Sequence, residues 1–209
     1  MQVKKAVLTA ALLGSLLVSL QGCVAVVAGG MVAGAMATTD RRTLGAQTED
    51  KAIAVKAETQ LPQLVGDAGH VNVNSYNRKV LLTGEVRDDA MKQAVEKEVR
   101  TITNVDNVIN ELVVAGPSSY TSRSNDALIT SKVKISLADK KTVSANSFKV
   151  VTERGNVYLM GLVTQREGNI AAQVAQGVAG VIRVVKIFEY ISEEDLRAMQ
   201  PQSAPQPAQ

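Results

Sequence analysis

The chain has 209 residues, a formal net charge of +3, one cysteine, one histidine and no tryptophan. A single cysteine excludes an internal disulfide, and one cysteine with one histidine cannot assemble a thiol dyad or a Cys/His zinc site. Only 3% of residues are aromatic, so the stacking platform of a single-strand nucleic-acid binder is not expected.

Residues 1–22 read as a secretory leader. Lys4 and Lys5 form a charged n-region, and Ala6–Leu20 is an apolar h-region shorter than the ~20 residues of a spanning helix. Leu20-Gln21-Gly22-Cys23 resembles a lipobox, which makes Cys23 the acceptor of a diacylglyceryl group (palmitate included) and the first residue of the mature chain. Removing the leader takes two lysines and no acid, leaving 21 basic side chains against 20 acidic. The basic balance of the precursor is therefore no argument for nucleic acid. Residues 23–48 read as a lipidated tether: Val24–Ala37 is an apolar run of Ala, Gly, Val and Met, and Thr38–Thr48 is polar loop.

The rest of the chain is written twice. Val80–Val86 and Val157–Val163 both read V-x-L-x-G-x-V, the alternation of a half-buried strand, with Gly84 and Gly161 at a point of close approach. Val71-x-Val73 precedes the first copy as Phe148-x-Val150 precedes the second. Residues 49–114 form one domain and 125–191 another, joined by the turn-rich linker 115–124.

In the first domain, Asp50 is expected to cap a helix with Ile53, Ala57 and Leu61 inward, closed by Pro62. Val71–Ser75 and Val80–Val86 make a hairpin. Asp88 and Asp89 open a second helix with Met91, Val95, Val99 and Ile102 inward, and Val108–Val114 is the last strand. In the second domain, Asp126 caps a helix with Ile129, Val133 and Leu137 inward. Phe148–Thr152 and Val157–Val163 pair, Thr164-x-x-Glu167 is a capping box before Ile170, Val174 and Val178, and Val181–Ile191 ends the domain. The fold class is α+β: two α-β-β-α-β domains, each a three-stranded mixed sheet on two helices. Residues 192–209, rich in Pro and Gln, are expected to be disordered.

No catalytic residue, metal site or cofactor site stands out. Asp88 and Asp89 read as helix-capping acids, His70 sits at a strand edge, and the glycines follow no phosphate-loop spacing. What the copies do not share is their charge: eight basic and eleven acidic residues over 49–114, ten and five over 123–191. On the first helix of the second domain, Leu128 and Ile135 lie far from the core stripe, beside Ser131, Lys132 and Lys134. The residues of the first domain that match Leu128, Ile135, Ser131 and Lys132 are Ala52, Thr59, Val55 and Lys56. Two aliphatics among lysines suit anionic lipid; packing against the other domain is the competing expectation.

The motif V-x-V-x(4)-G-x-V-x-L-x-G-x-V with a later G-V-x-x-V resembles the BON domain. In the second copy it reads Val150 (with Phe148 two before it), Gly155, Val157, Leu159, Gly161, Val163, Gly180, Val181 and Val184. The first copy departs from it with Arg78 for Gly155 and Asn104 for Gly180. Lipobox, Ala/Gly/Val tether and two copies together resemble the dual-BON outer-membrane lipoproteins. That resemblance implies a non-enzymatic protein on the periplasmic face of the outer membrane that maintains envelope integrity and gathers at the division site. It also implies phospholipid binding (cardiolipin, phosphatidylglycerol) through Leu128, Ser131, Lys132, Lys134 and Ile135. Family members can carry Trp where Leu128 stands. The other class left open is a protein–protein adaptor for outer-membrane assembly machinery or cell-wall hydrolase regulators.

Overall fold

The computed structural model describes residues 40–199. The first half runs α1 (Leu44–Val65), β1 (His70–Tyr76), β2 (Lys79–Val86), α2 (Asp89–Arg100), β3 (Asn107–Asn110) and β4 (Val113–Val114). The second runs α3 (Tyr120–Asp139), β5 (Phe148–Glu153), β6 (Asn156–Val163), α4 (Gln165–Gln176), β7 (Arg183–Tyr190) and α5 (Glu193–Met199). In each sheet the V-x-L-x-G-x-V strand is central, antiparallel to the strand before it and parallel to the strand reached across a helix. The duplicated α-β-β-α-β order is the one the repeat predicts.

Helical spacing explains the two cores. Ile53, Ala57 and Leu61 of α1 meet Met91, Val95 and Val99 of α2 and Val80, Leu82 and Val86 of β2. Ile129, Val133 and Leu137 of α3 pack with Val157, Leu159 and Val163 of β6. On α4 the buried residues are Glu167, Gly168, Ala171 and Ala175, whereas Ile170, Val174 and, just past the helix, Val178, expected inward, are only partly buried. A Cβ on Gly168 would stand 2.9 Å from the Phe188 ring. Small residues let α4 lie close on the aromatic side chains of β7, which pushes its larger residues to the flank.

Asp50 and Asp126 do not start helices. Thr43 and Ser119 do, their hydroxyls accepting from Ala46 N (3.1 Å) and Ser122 N (3.2 Å). The two aspartates are buried one to two turns further in, where each grips the following hairpin. Asp50 accepts from Asn77 N and Arg78 N at 2.7 and 2.8 Å, and Asp126 accepts from Arg154 N and Gly155 N, both at 2.8 Å. Both central turn residues have positive φ in each hairpin (48° and 67°, 50° and 73°), as a two-residue type I′ turn requires. Arg78 thus adopts the geometry of Gly155, held by the Asp50 carboxylate and by its own Nε donating to Asn104 O (2.8 Å). Asn104 (φ 70°) likewise takes the place of Gly180 (φ 98°).

Other boundaries move for local reasons. The segment read as loop up to Thr48 contains the first turn of α1, and Pro62 lies inside that helix, which continues to Val65. The strand expected over Val108–Val114 breaks at Glu111–Leu112, where Leu112 turns into the core. The linker read as 115–124 includes the start of α3, and the segment from Ser192 carries α5, anchored by buried Leu196. Residues 200–209 and the whole of 1–39, including the leader and Cys23, lie outside the described residues.

The central strand of the second sheet is not half-buried. Its second face, with Tyr158 and Met160, packs on Tyr76 and Leu81 of the first sheet, with Ile109, Val151, Leu162, Val185 and Ile187 around them. The two sheets therefore face each other, and each domain covers what its own helices leave open. Polar contacts rim this seam: Leu162 N donates to Tyr76 Oη (3.2 Å), Arg183 to Glu111 (2.9 Å), Asn77 to Glu189 (2.9 Å) and Lys149 to Ser75 O (3.2 Å). Burial and the charge of Glu111 push the Tyr158 phenol up to about 12.

Residues 40–42 clasp one end of the seam. Arg41 donates to both oxygens of Glu167 (2.8 and 2.7 Å) and to Leu162 O (3.0 Å). Arg42 pairs with Asp40 and Asp50 and lies 4.1 Å over the Tyr76 ring. Glu167 is also the acid of the capping box that the sequence predicts. Burial opposes its charge, but the Arg41 hydrogen bonds and the Thr164 amide outweigh burial and hold the carboxyl below its ordinary value.

Two consequences are measurable. A Cβ on Gly84 (φ 111°) would overlap the His70 carbonyl, so the obstacle is the paired strand's own backbone and not a layer above the sheet. Gly84→Ala should cost about 2–3 kcal/mol in urea unfolding, whereas Gly116→Ala, with nothing within 4 Å, stays within about 0.5 kcal/mol. Because its folded pKa is depressed, Glu167 contributes stability that is full above the ordinary glutamate value of about 4.3 and is lost as pH falls through the folded value. Arg41→Ala should lower stability at neutral pH by about 3–5 kcal/mol. It should also shrink or reverse the acid-side loss, as read from unfolding curves between about pH 3 and 6.

Candidate functional site

At 100° per residue, the α3 positions opposite its core stripe are Leu128, Ser131 and Ile135, with Lys132 and Lys134 on either side. Ile129, Val133 and Leu137 are sealed, while Leu128 and Ile135 are 60% and 62% exposed. Ser131, Lys132 and Lys134 are exposed as well. Ser131 turns its hydroxyl back to Ala127 O (2.9 Å), which leaves the two aliphatics as the crest. Among the described residues neither Lys132 nor Lys134 joins an ion pair. Lys132 and Lys140 also border a groove of about 850 Å³ between α3 and α4, floored by Ile170, Val174 and Val178.

The contrast with α1 differs from the one read in sequence. Since α1 begins at Leu44, it too presents aliphatics away from its core: Leu44 and Val55, 69% and 61% exposed, fall on one face. Large exposed aliphatics are thus not confined to the second domain. Charge is what separates the helices. The outer charges of α1 are mixed, with Lys51 and Lys56 against Glu49 and Glu58, while α3 sets Arg123, Lys132 and Lys134 against Asp139 alone. Glu58 occupies the place of Lys134.

Tyr120, at the first turn of α3, is exposed, with the Arg123 guanidinium 5.7 Å from its ring centre. Sequence reasoning left it in the linker; the signal that finds it is Ser119, an N-cap residue ahead of it. The first described residue, Asp40, lines a groove of about 350 Å³ together with Lys134 and Lys149. Asp40 therefore lies beside one flank of the α3 crest. Among the described residues no helix is long and apolar enough to cross a membrane.

His70, set aside as a strand-edge residue, lies with Glu85 and Glu153 where the two domains meet. Burial and the charge of Arg123 hold its imidazole below the ordinary value despite Glu85.

A family model described as the BON domain matches residues 49–116 and again 125–191. The chain is similar to the outer membrane lipoprotein DolP of Haemophilus influenzae, 38% identical over 174 residues, which is 82% of this chain and 90% of that protein. It is 29% identical over 154 residues to a 21 kDa hemolysin of Actinobacillus pleuropneumoniae, covering 73% of this chain and 79% of the relative. Among solved structures, the C-terminal domain of CdsD, a structural protein of the type III secretion system of Chlamydia trachomatis, aligns at 11% identity and a TM-score of 0.28. That alignment covers 66% of this chain and 97% of that one. So slight a likeness carries no argument.

Proposed function

On the footing that this chain belongs to the BON-domain family, we propose that it is a non-enzymatic outer-membrane lipoprotein, acylated at Cys23 and facing the periplasm. In this reading the outer face of α3 binds anionic phospholipid, and the protein thereby supports envelope integrity and collects at the division site. The observation that carries the lipid reading is the exposed pair Leu128 and Ile135 standing between Lys132 and Lys134. Each lysine near an anionic surface contributes about 1 kcal/mol. Aliphatics that leave water for the acyl boundary add up to about 1.5–3 kcal/mol each.

Such a contact is weak by itself, which suits a tethered module. Seventeen residue steps separate Cys23 from Asp40, a reach of at most about 60 Å. An acylated Cys23 would hold the crest at high effective concentration over its own bilayer. That Asp40 and Lys134 line one groove supports a tether beginning near the α3 crest.

Flotation with vesicles tests this. Residues 40–199 should float with phosphatidylglycerol or cardiolipin vesicles and not with phosphatidylcholine alone. Leu128→Glu should weaken that binding by about tenfold or more with an unchanged circular dichroism spectrum, since the side chain supports no core. Equal binding to neutral and anionic vesicles, or none, overturns the lipid reading. The α3 face then becomes a docking surface for outer-membrane assembly machinery or cell-wall hydrolase regulators. Separately, Cys23→Ala should move the protein out of the outer-membrane fraction on cell fractionation.

A further inference from the structure

His70 opens β1 and pairs in register with Glu85 near the end of β2, so both side chains leave the first sheet on one face. Glu153 ends β5 of the facing sheet. The docking of the sheets brings one ligand atom from each within 4.8 Å of the others. Both glutamates are buried, and two carboxylates that share a dry seam need a cation. The protein's own supply is thin. Arg154 reaches Glu85 Oε1 at 3.3 Å from a 43% exposed position, and Arg123 lines the neighbouring cleft. The remaining partners are neutral: Ser118 N on Glu85 (3.1 Å) and Asn72 on Glu153 (2.7 Å).

Among the described residues His70 Nδ1 is buried with no hydrogen-bond partner, 3.9 Å from Glu85 Oε2. We propose that His70, Glu85 and Glu153 form a divalent transition-metal site, of the kind that takes Zn²⁺, joining the first domain to the second. One imidazole nitrogen and two carboxylates are a borderline donor set that suits Zn²⁺ better than Mg²⁺ or Ca²⁺. Closing around Zn²⁺ would bring the donors to about 3.4 Å apart, a shift within reach of side-chain torsions. Arg154, with 43% of its side chain exposed, can turn away as the ion arrives. Entry is open through a cleft of about 450 Å³ lined by His70, Asn72, Arg123 and Glu153.

The site lies at the opposite end of β6 from the Arg41 clasp, so an ion there would pin the second end of the sheet-to-sheet seam. This inference does not rest on the lipid reading.

The chain's single histidine makes the test direct. Full-length protein in detergent, stripped with a chelator, is titrated with Zn²⁺ by calorimetry while the histidine ring protons are followed by NMR. Expected are one site of about 10 µM or tighter, displaced ring resonances, and a Tm raised by several degrees. His70→Gln and Glu153→Gln should each weaken binding by about 100-fold while keeping the metal-free circular dichroism spectrum. If one variant does not fold, the other carries the comparison, and the wild-type ring signal decides if neither does. No site tighter than about 100 µM, binding that leaves the ring resonances unmoved, or a folded variant that binds as the wild type does overturns the site.

Discussion

The apolar contact of Tyr76 and Leu81 with Tyr158 and Met160 is the constraint on which the rest depends. A three-stranded sheet with helices on one face leaves its other face to water, and a domain this small cannot leave so much apolar surface exposed. Duplication resolves this: each sheet covers the other. The helices are thereby driven to the two outside layers. Among the described residues the outer faces of α1 and α3 carry exposed aliphatics and charges.

The same device holds both halves in shape. A buried aspartate in the first helix, Asp50 or Asp126, receives the backbone amides of the hairpin turn. A carboxylate with two such donors ties helix to sheet more firmly than apolar contact alone, because leaving those amides or that charge unpaired in the interior is costly. With the turn held this way, its residues are free to vary. Arg78 can stand where the other copy has Gly155, and the outer faces have diverged in charge while the backbone has not.

The seam is polar at its ends and apolar in the middle. At one end Arg41 neutralises Glu167 with bidentate geometry. At the other, among the described residues, Glu85 has Arg154 and the Ser118 amide, Glu153 has Asn72, and the imidazole beside them has an unsatisfied nitrogen. Buried charge is tolerated when it is matched, so these two ends differ in kind: among the described residues one is matched and the other is not.

The amino-acid sequence by itself determined the repeat, the order of elements within each copy, the core stripes of α1, α2 and α3 and the Thr164–Glu167 capping box, because hydrophobic period and capping chemistry act over a few residues. It also exposed the charge difference between the halves and the outward position of Leu128 and Ile135, since a helical angle follows from spacing alone. It misassigned Asp50 and Asp126, because an acid that caps a helix and an acid that grips a distant turn look alike until the turn is folded against them. Burial on the second face of β6, the Arg41 clasp and the meeting of His70, Glu85 and Glu153 were decided only by tertiary structure. Each joins residues about 70 or more positions apart, and no local pattern records which surface a second sheet will cover.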